Sequence, residues 1–187
     1  MCHNSCVAYT GPYAILETCP ECGASRYDPI RLAASHGRVK VPQQTFSTMP
    51  VGPQLQALYR HPDAARAMAY RSEKTKELLK KADANGVINV DNYDDIFCGQ
   101  AYFEAHEIDE DDTVIMVSID GAQLYRSKQS DAWIAILVIL DLSPEVRYKM
   151  SSVMPSFVIP GPRKPKNIES FFFPSLHHLA AIQKHGL

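Results

Sequence analysis

The sequence has no apolar run approaching the roughly 20 residues that a membrane-spanning helix needs. That absence excludes a helical anchor within these residues. It also has no basic start and no apolar stretch at the amino end; Cys2 and His3 stand where a signal peptide would carry them. These absences predict an intracellular protein with no membrane partner. Charge of one sign is missing too. Nineteen Lys and Arg stand against 21 Asp and Glu, for a formal net charge of -2 and a pI near 6.4. A free-standing nucleic-acid binder is ordinarily basic, so any surface for DNA must be local.

What is present is ordinary for a globular chain: 45% hydrophobic and 21% charged residues over a length of 187. That length holds one medium domain, or a small module plus an incomplete larger one. A cysteine motif opens the chain at residue 2. A helical pattern meets a glycine at His185-Gly186-Leu187. Both ends read as cuts in a longer frame.

Four of the five cysteines crowd into the first 22 residues, spaced Cys2-x3-Cys6-x12-Cys19-x2-Cys22. Two close pairs a dozen residues apart make a zinc-ribbon spacing. Each pair sits on a tight turn that points two thiolates at one spot, and Gly11-Pro12 helps the intervening segment turn back. Gly23, after the last cysteine, permits the backbone that a knuckle requires. Four soft thiolates select zinc and leave no open position, so the metal would be structural. Two disulfides are the competing reading, but nothing suggests an oxidising compartment. His3 in place of Cys2 is a weaker ligand set. Cys98 stands alone and reads as a small buried hydrophobe.

The chain divides at this level into a cysteine module over 1–28, a connector and helical region over 29–112, and a third region over 113–187. Residues 29–53 carry Pro29, Pro42, Pro50 and Pro53 and read as extended, with a short strand at Val39-Lys40-Val41. A helical pattern follows over 54–84, broken at His61-Pro62-Asp63. Its second part, Ala64 to Ala84, is the one basic stretch of any length, with Arg66, Arg71, Lys74, Lys76, Lys80 and Lys81. A solvated helix with Glu73, Glu77 and Lys81 paired at i,i+4 is the bland reading; a phosphate-contacting face is the sharper one. Asn85-Gly86 signals a turn, and Asp91 to Ala105 a further short helix. The acidic run from Glu104 through Glu107 to Asp112 lacks the spacing of a calcium loop and reads as solvated.

Residues 113–187 are the informative part. Thr113 to Ile119 is a β-rich run that stops at Asp120-Gly121. Polar residues Tyr125 to Asp131 connect it to Trp133–Leu142, which suits a central strand. Ser156 to Ile159 is a third strand. After the turn Pro160-Gly161-Pro162-Arg163-Lys164-Pro165, Asn167 caps a helix with Glu169 in its first turn. Three strands and a helix, with an acid at the end of the first strand, is how an RNase H-like nuclease domain begins. The predicted class is therefore α/β: a zinc-ribbon-like module followed by a truncated RNase H-like domain.

Several segments together resemble the CACTA-type (En/Spm-like) cut-and-paste transposases, in their fungal branch. They are Tyr93-Asp94-Asp95-Ile96-Phe97-Cys98-Gly99, Ser118-Ile119-Asp120-Gly121-Ala122-Gln123-Leu124-Tyr125, Ile159 to Pro165, and Ser175-Leu176-His177-His178-Leu179-Ala180-Ala181. The cysteine knuckle with Arg26-Tyr27 after it is similar to the segment preceding the transposase domain in that family. The resemblance covers nearly the whole chain. It implies a nuclear enzyme acting on the DNA of transposon ends, using acidic residues and two magnesium or manganese ions. Asp120 matches the first catalytic acid; the other two lie beyond Leu187 in the family's order.

Asp131 and Asp141 are local candidates to replace them and Glu169 is the best substitute; the bland account of Glu169 is stabilisation by the helix dipole. That of Asp120 is a turn with Gly121. His177 and His178 diverge on a helix and read as packing or surface residues. Arg163, Lys164 and Lys166 are candidates for DNA phosphate contact, against a plain solvated loop. A competing reading is a non-catalytic, transposase-derived remnant that binds nucleic acid or protein. A sheet lacking its later strands would leave an unpaired edge, which predicts self-association into a homo-oligomer.

Overall fold

The computed structural model describes residues 1–84, 87–90, 92–105, 108–123, 131–161 and 163–187, without the side chain of residue 131. The turn at Asn85-Gly86, the start of the predicted helix at Asp91, Glu107, the Leu124-Tyr125 end of one motif, the polar connector, and Pro162 lie outside the described residues. The elements are α1 (Pro29–Ala34), β1 (Ser47–Thr48), α2 (Val51–Arg60), α3 (Pro62–Ala67), α4 (Tyr70–Leu79), α5 (Gln100–Glu104), β2 (Ile115–Gln123), β3 (Asp131–Ile139), α6 (Pro144–Arg147), β4 (Met154–Pro160) and α7 (Ile168–His185). Single 3-10 turns occupy Gly11–Tyr13 and Ile96–Cys98. The strands form one four-stranded antiparallel sheet in the order β1-β4-β3-β2. β1 pairs with β4 in the register Ser47 to Val158 and Thr48 to Phe157. The mixed helix-and-strand class and the cysteine cluster therefore stand.

Two compact units divide the chain. The first comprises Met1–Gln54, Ser118–Ile136 and Pro155–Leu187. Its core joins Met1, Ala8, Ala135, Phe157, Ile159 and Phe171, with Phe46, Trp133, Ile168 and Phe172 packed against them. Phe46 meets Phe171 edge-on at 5.2 Å, and Phe157 meets Phe172 edge-on at 4.8 Å. α7 begins where the sequence places it: the Asn167 side chain accepts from the Ser170 amide at 3.0 Å. It ends at Gly186, whose φ of +80° favours glycine. His178 proves to be a packing residue, its Nε2 accepting from the Gly52 amide at 3.1 Å.

The second unit comprises Leu55–Val117 and Leu137–Met154. Two buried ion pairs hold it. Arg147 grips Asp95 through two parallel bonds of 3.1 and 2.8 Å, and Tyr70 donates to the same carboxylate at 2.8 Å. Arg71 donates from Nε to Asp141 at 2.8 Å and from Nη2 to the carbonyls of Asp109, Glu110 and Asp112.

Four local expectations change. The basic helix is two helices, α3 and α4, and its Arg71 is only 3% exposed rather than solvated. Its other cations lie mostly against acids: Arg66 on Asp63, Lys74 on Asp94, Lys76 on Glu110 and Lys81 on Glu77. That pairing suits a salt-bridged surface better than a phosphate face. Residues 29–34, read as extended, are helical because Asp28 caps them, its Oδ1 accepting from the amides of Ile30 and Arg31, and Pro29 suits the first turn. Val39–Val41 forms no strand; the pairing there is a single bridge from Tyr27 to Pro42. Finally, β2 does not stop at Asp120-Gly121 but runs on to Gln123. Glycine inside a strand can mark close approach of a neighbour instead of a turn. A Cβ on Gly121 would lie 3.2 Å from the Trp133 ring.

Candidate metal centre and basic loop

Two turns in the first unit present the thiols. In the first, the Cys2 amide donates to the Val7 carbonyl and the Ser5 amide to the Cys2 carbonyl, both at 2.9 Å. Ser5 adopts φ +58°, an uncommon backbone for a residue with a side chain. The second turn is a small hairpin. The Cys19 amide donates to Ala24 and the Gly23 amide to Cys19, both at 2.8 Å, and Thr18 bridges Ser25. Gly23 sits at φ +70°, as its position after the last cysteine requires.

The Sγ atoms of Cys2, Cys6, Cys19 and Cys22 all lie within 4.8 Å of one another. The sulfurs of Cys2 and Cys22 are 3.6 Å apart, and all of these cysteines are free thiols, so the disulfide alternative does not hold here. Cys2, Cys6 and Cys19 are buried, with Val7 and Tyr9 packed among them. Among the described residues this is the one group of three or more side chains able to hold a metal ion.

The electrostatics record thiols crowded together. Burial, and then the neighbouring Cys22 thiol, push Cys6 up to about 12. Burial raises Cys19 as well. Hydrogen bonds from the Asn4 side chain and the Ala24 amide pull Cys22 down to about 6, toward the thiolate. The Tyr9 hydroxyl, pushed up to about 12 by burial and then by the thiols, is buried with no hydrogen-bond partner among the described residues. The donor set therefore fits a metal ion that needs sulfur ligands.

The candidate DNA-contact residues lie on the segment between β4 and α7. Arg163 is exposed and donates from Nη1 to Asn4 Oδ1. Lys164 sets its ammonium over the Trp133 ring, 5.4 Å from the centroid. Lys166 is exposed, and its amide donates to the Cys6 carbonyl at 3.2 Å. Trp133 thus joins two of the sequence motifs, touching Gly121 on one and Lys164 on the other.

The candidate acids do not gather. Asp120 is exposed, and its Oδ1 accepts from the Gly121 amide at 2.7 Å. Glu169 is exposed in the first turn of α7. Asp141 is committed to Arg71 and to the Val114 amide in the second unit. The Asp131 side chain lies outside the described residues. Cys98 is buried, as read, with its thiol donating to Asp94 at 3.3 Å. Sequence reasoning missed Asn4, the residue that touches both thiols and Arg163; an Asn inside a Cys-x3-Cys turn was the available signal. No family model matches the chain, and no curated protein or solved structure matches it.

Proposed function

We propose that this chain is a zinc-braced, DNA-contacting portion of a cut-and-paste transposase of the CACTA type. One observation carries the reading: a four-thiol cluster whose first turn bears directly on the loop of Arg163, Lys164 and Lys166. Zinc suits the cluster because Zn–S bonds of about 2.3 Å in a tetrahedron set sulfurs about 3.8 Å apart. The 3.6 Å between Cys2 and Cys22 is near that value. All four positions are protein ligands, so the ion braces the fold and catalyses nothing.

The antiparallel order β4-β3-β2, followed by α7, supports an RNase H-like beginning. In that reading Asp120 is the first of the acids that hold magnesium or manganese, and DNA phosphate is the substrate. A second reading, a non-catalytic binding module, is favoured by Asp120 itself, an exposed carboxylate whose Oδ1 accepts from the adjacent Gly121 amide at 2.7 Å.

The deciding experiment uses the full-length native product, because the transposase reading expects the remaining acids after Leu187, and measures zinc content, binding to a labelled duplex across salt concentrations, and nicking with magnesium or manganese. Stoichiometric zinc and salt-dependent binding support the shared part of both readings. Nicking that disappears in Asp120→Ala selects the transposase. Binding with no metal-dependent nicking selects the binding module, and a chain that holds no zinc and binds no duplex sinks both.

A further inference from the structure

Residues 4, 5 and 6, the middle and end of the first cysteine turn, each hold a different point of the basic loop. The Ser5 hydroxyl donates to the Pro160 carbonyl at 3.4 Å. Asn4 Oδ1 accepts from Arg163 Nη1. The Cys6 carbonyl accepts from the amides of Lys166 and Asn167 at 3.2 and 2.9 Å.

Asn4 also faces the thiols. Its backbone amide donates to Cys2 Sγ at 3.4 Å, and its Nδ2 donates to Cys22 Sγ at 3.5 Å. The chemistry of the neighbours settles the orientation of this side-chain amide, since a guanidinium needs an acceptor and a sulfur needs a donor. One side chain therefore bridges a thiol of the second turn and the guanidinium of the basic loop.

We infer that metal occupancy of the cysteine cluster and phosphate binding at Arg163 are thermodynamically linked, with Asn4 as the positioning residue between them. The inference rests on the reading above, in which the cluster holds zinc and the loop contacts DNA. Binding an ion cross-links the two turns and fixes Asn4. Thiolate charge polarises the Asn4 amide and strengthens its carbonyl as an acceptor for Arg163. The guanidinium is then pre-positioned on its stem, so less side-chain entropy is lost when it meets a phosphate. Linkage is reciprocal, so a duplex that engages Arg163 must tighten the metal by the same factor.

The test uses the full chain loaded with cobalt(II), whose thiolate bands report the cluster, and a fluorescein-labelled mixed-sequence DNA duplex at about 50 mM salt. Asn4→Ala and Arg163→Ala each weaken duplex binding about 5-fold, a modest coupling. Arg163→Ala also lowers the salt slope by about one. The double variant binds no more weakly than Arg163→Ala alone, because the first change acts through the second residue. Saturating duplex tightens the metal about 5-fold against a competing chelator, and Arg163→Ala abolishes that gain. This last arm alters only an exposed side chain and holds even if Asn4→Ala fails to fold.

Additive losses in the double variant, or a wild-type metal affinity indifferent to duplex, overturn the linkage and leave the zinc-and-DNA reading standing. A wild-type chain with no cobalt–thiolate bands, or with no duplex binding, overturns both.

Discussion

Replacing Arg71 with methionine tests how the second unit is held together. The Arg71 guanidinium is buried, and it is the centre of a clasp over residues 109–112. It donates to Asp141, to the Tyr102 hydroxyl at 3.3 Å and to three backbone carbonyls. Burial alone would lower its pKa, but the bonds to Asp141 and Tyr102 outweigh that and hold it above its ordinary value. Methionine keeps the length of the stem and removes the charge. It leaves the Asp141 carboxylate, with a side chain only 7% exposed, without its cation. Breaking a buried pair from one side costs about 3–5 kcal/mol.

With a urea m-value of roughly 2 kcal/mol per molar, that cost moves the unfolding midpoint down by about 1.5–2.5 M. Far-UV circular dichroism follows the midpoint, and amide exchange at 109–114 localises the loss. Asp141→Asn keeps an acceptor for the Val114 amide, which donates to the carboxylate at 2.7 Å. In an Arg71→Met/Asp141→Asn double variant no charge is stranded. The double variant is therefore less destabilised than the sum of the singles, by about 0.5–3 kcal/mol. A loss under about 1 kcal/mol for Arg71→Met, or strict additivity, refutes the account, because it would mean the clasp exchanges for water without cost.

Three further predictions follow from particular contacts. Cys6→Ser removes a buried thiol of the cluster, and it abolishes the tetrahedral cobalt–thiolate spectrum and lowers the thermal midpoint of the metal-loaded chain. Gly11→Ala destabilises by about 1–3 kcal/mol in a thermal melt, because Gly11 sits at φ +50° and a Cβ there would lie 2.6 Å from the Phe173 ring. Hydrogen bonds from Lys81, Lys74 and Lys76 hold the carboxyls of Glu77, Asp94 and Glu110 below their ordinary values. A depressed carboxylate contributes stability above its unfolded value of 4.5 for Glu or 3.8 for Asp, and that stability disappears as pH falls through the folded value. Urea midpoints measured from about pH 5 downward should therefore decline. The decline should shrink in high salt, since the three carboxylates are exposed and screened.

Local signals were legible in the sequence wherever a few neighbouring residues settle the outcome. The Cys-x3-Cys and Cys-x2-Cys spacings define two turns whose thiols converge, and Gly23 permits the second. The Asn167 cap and Gly186 mark the ends of α7, and the runs near 115, 133 and 156 are strands because β-rich apolar runs pair. Asp28-Pro29 was equally local and passed unread, since a proline-rich segment suggests extension until the capping side chain is noticed.

What only the tertiary structure decided depends on partners far along the chain. Arg71 looks like any solvated helix cation until Asp141, 70 residues away, is placed beside it. Asp120-Gly121 looks like a turn until Trp133 is packed against the glycine. Asn4 looks like a spacer between two cysteines until Arg163, 159 positions later, returns to it. Helix caps, turns and cysteine knuckles are set by bonds spanning a few residues, whose identities lie side by side in the sequence. The burial of a charge, the continuation of a strand and the setting of a loop depend on which distant segment excludes water there, and only the folded chain specifies that.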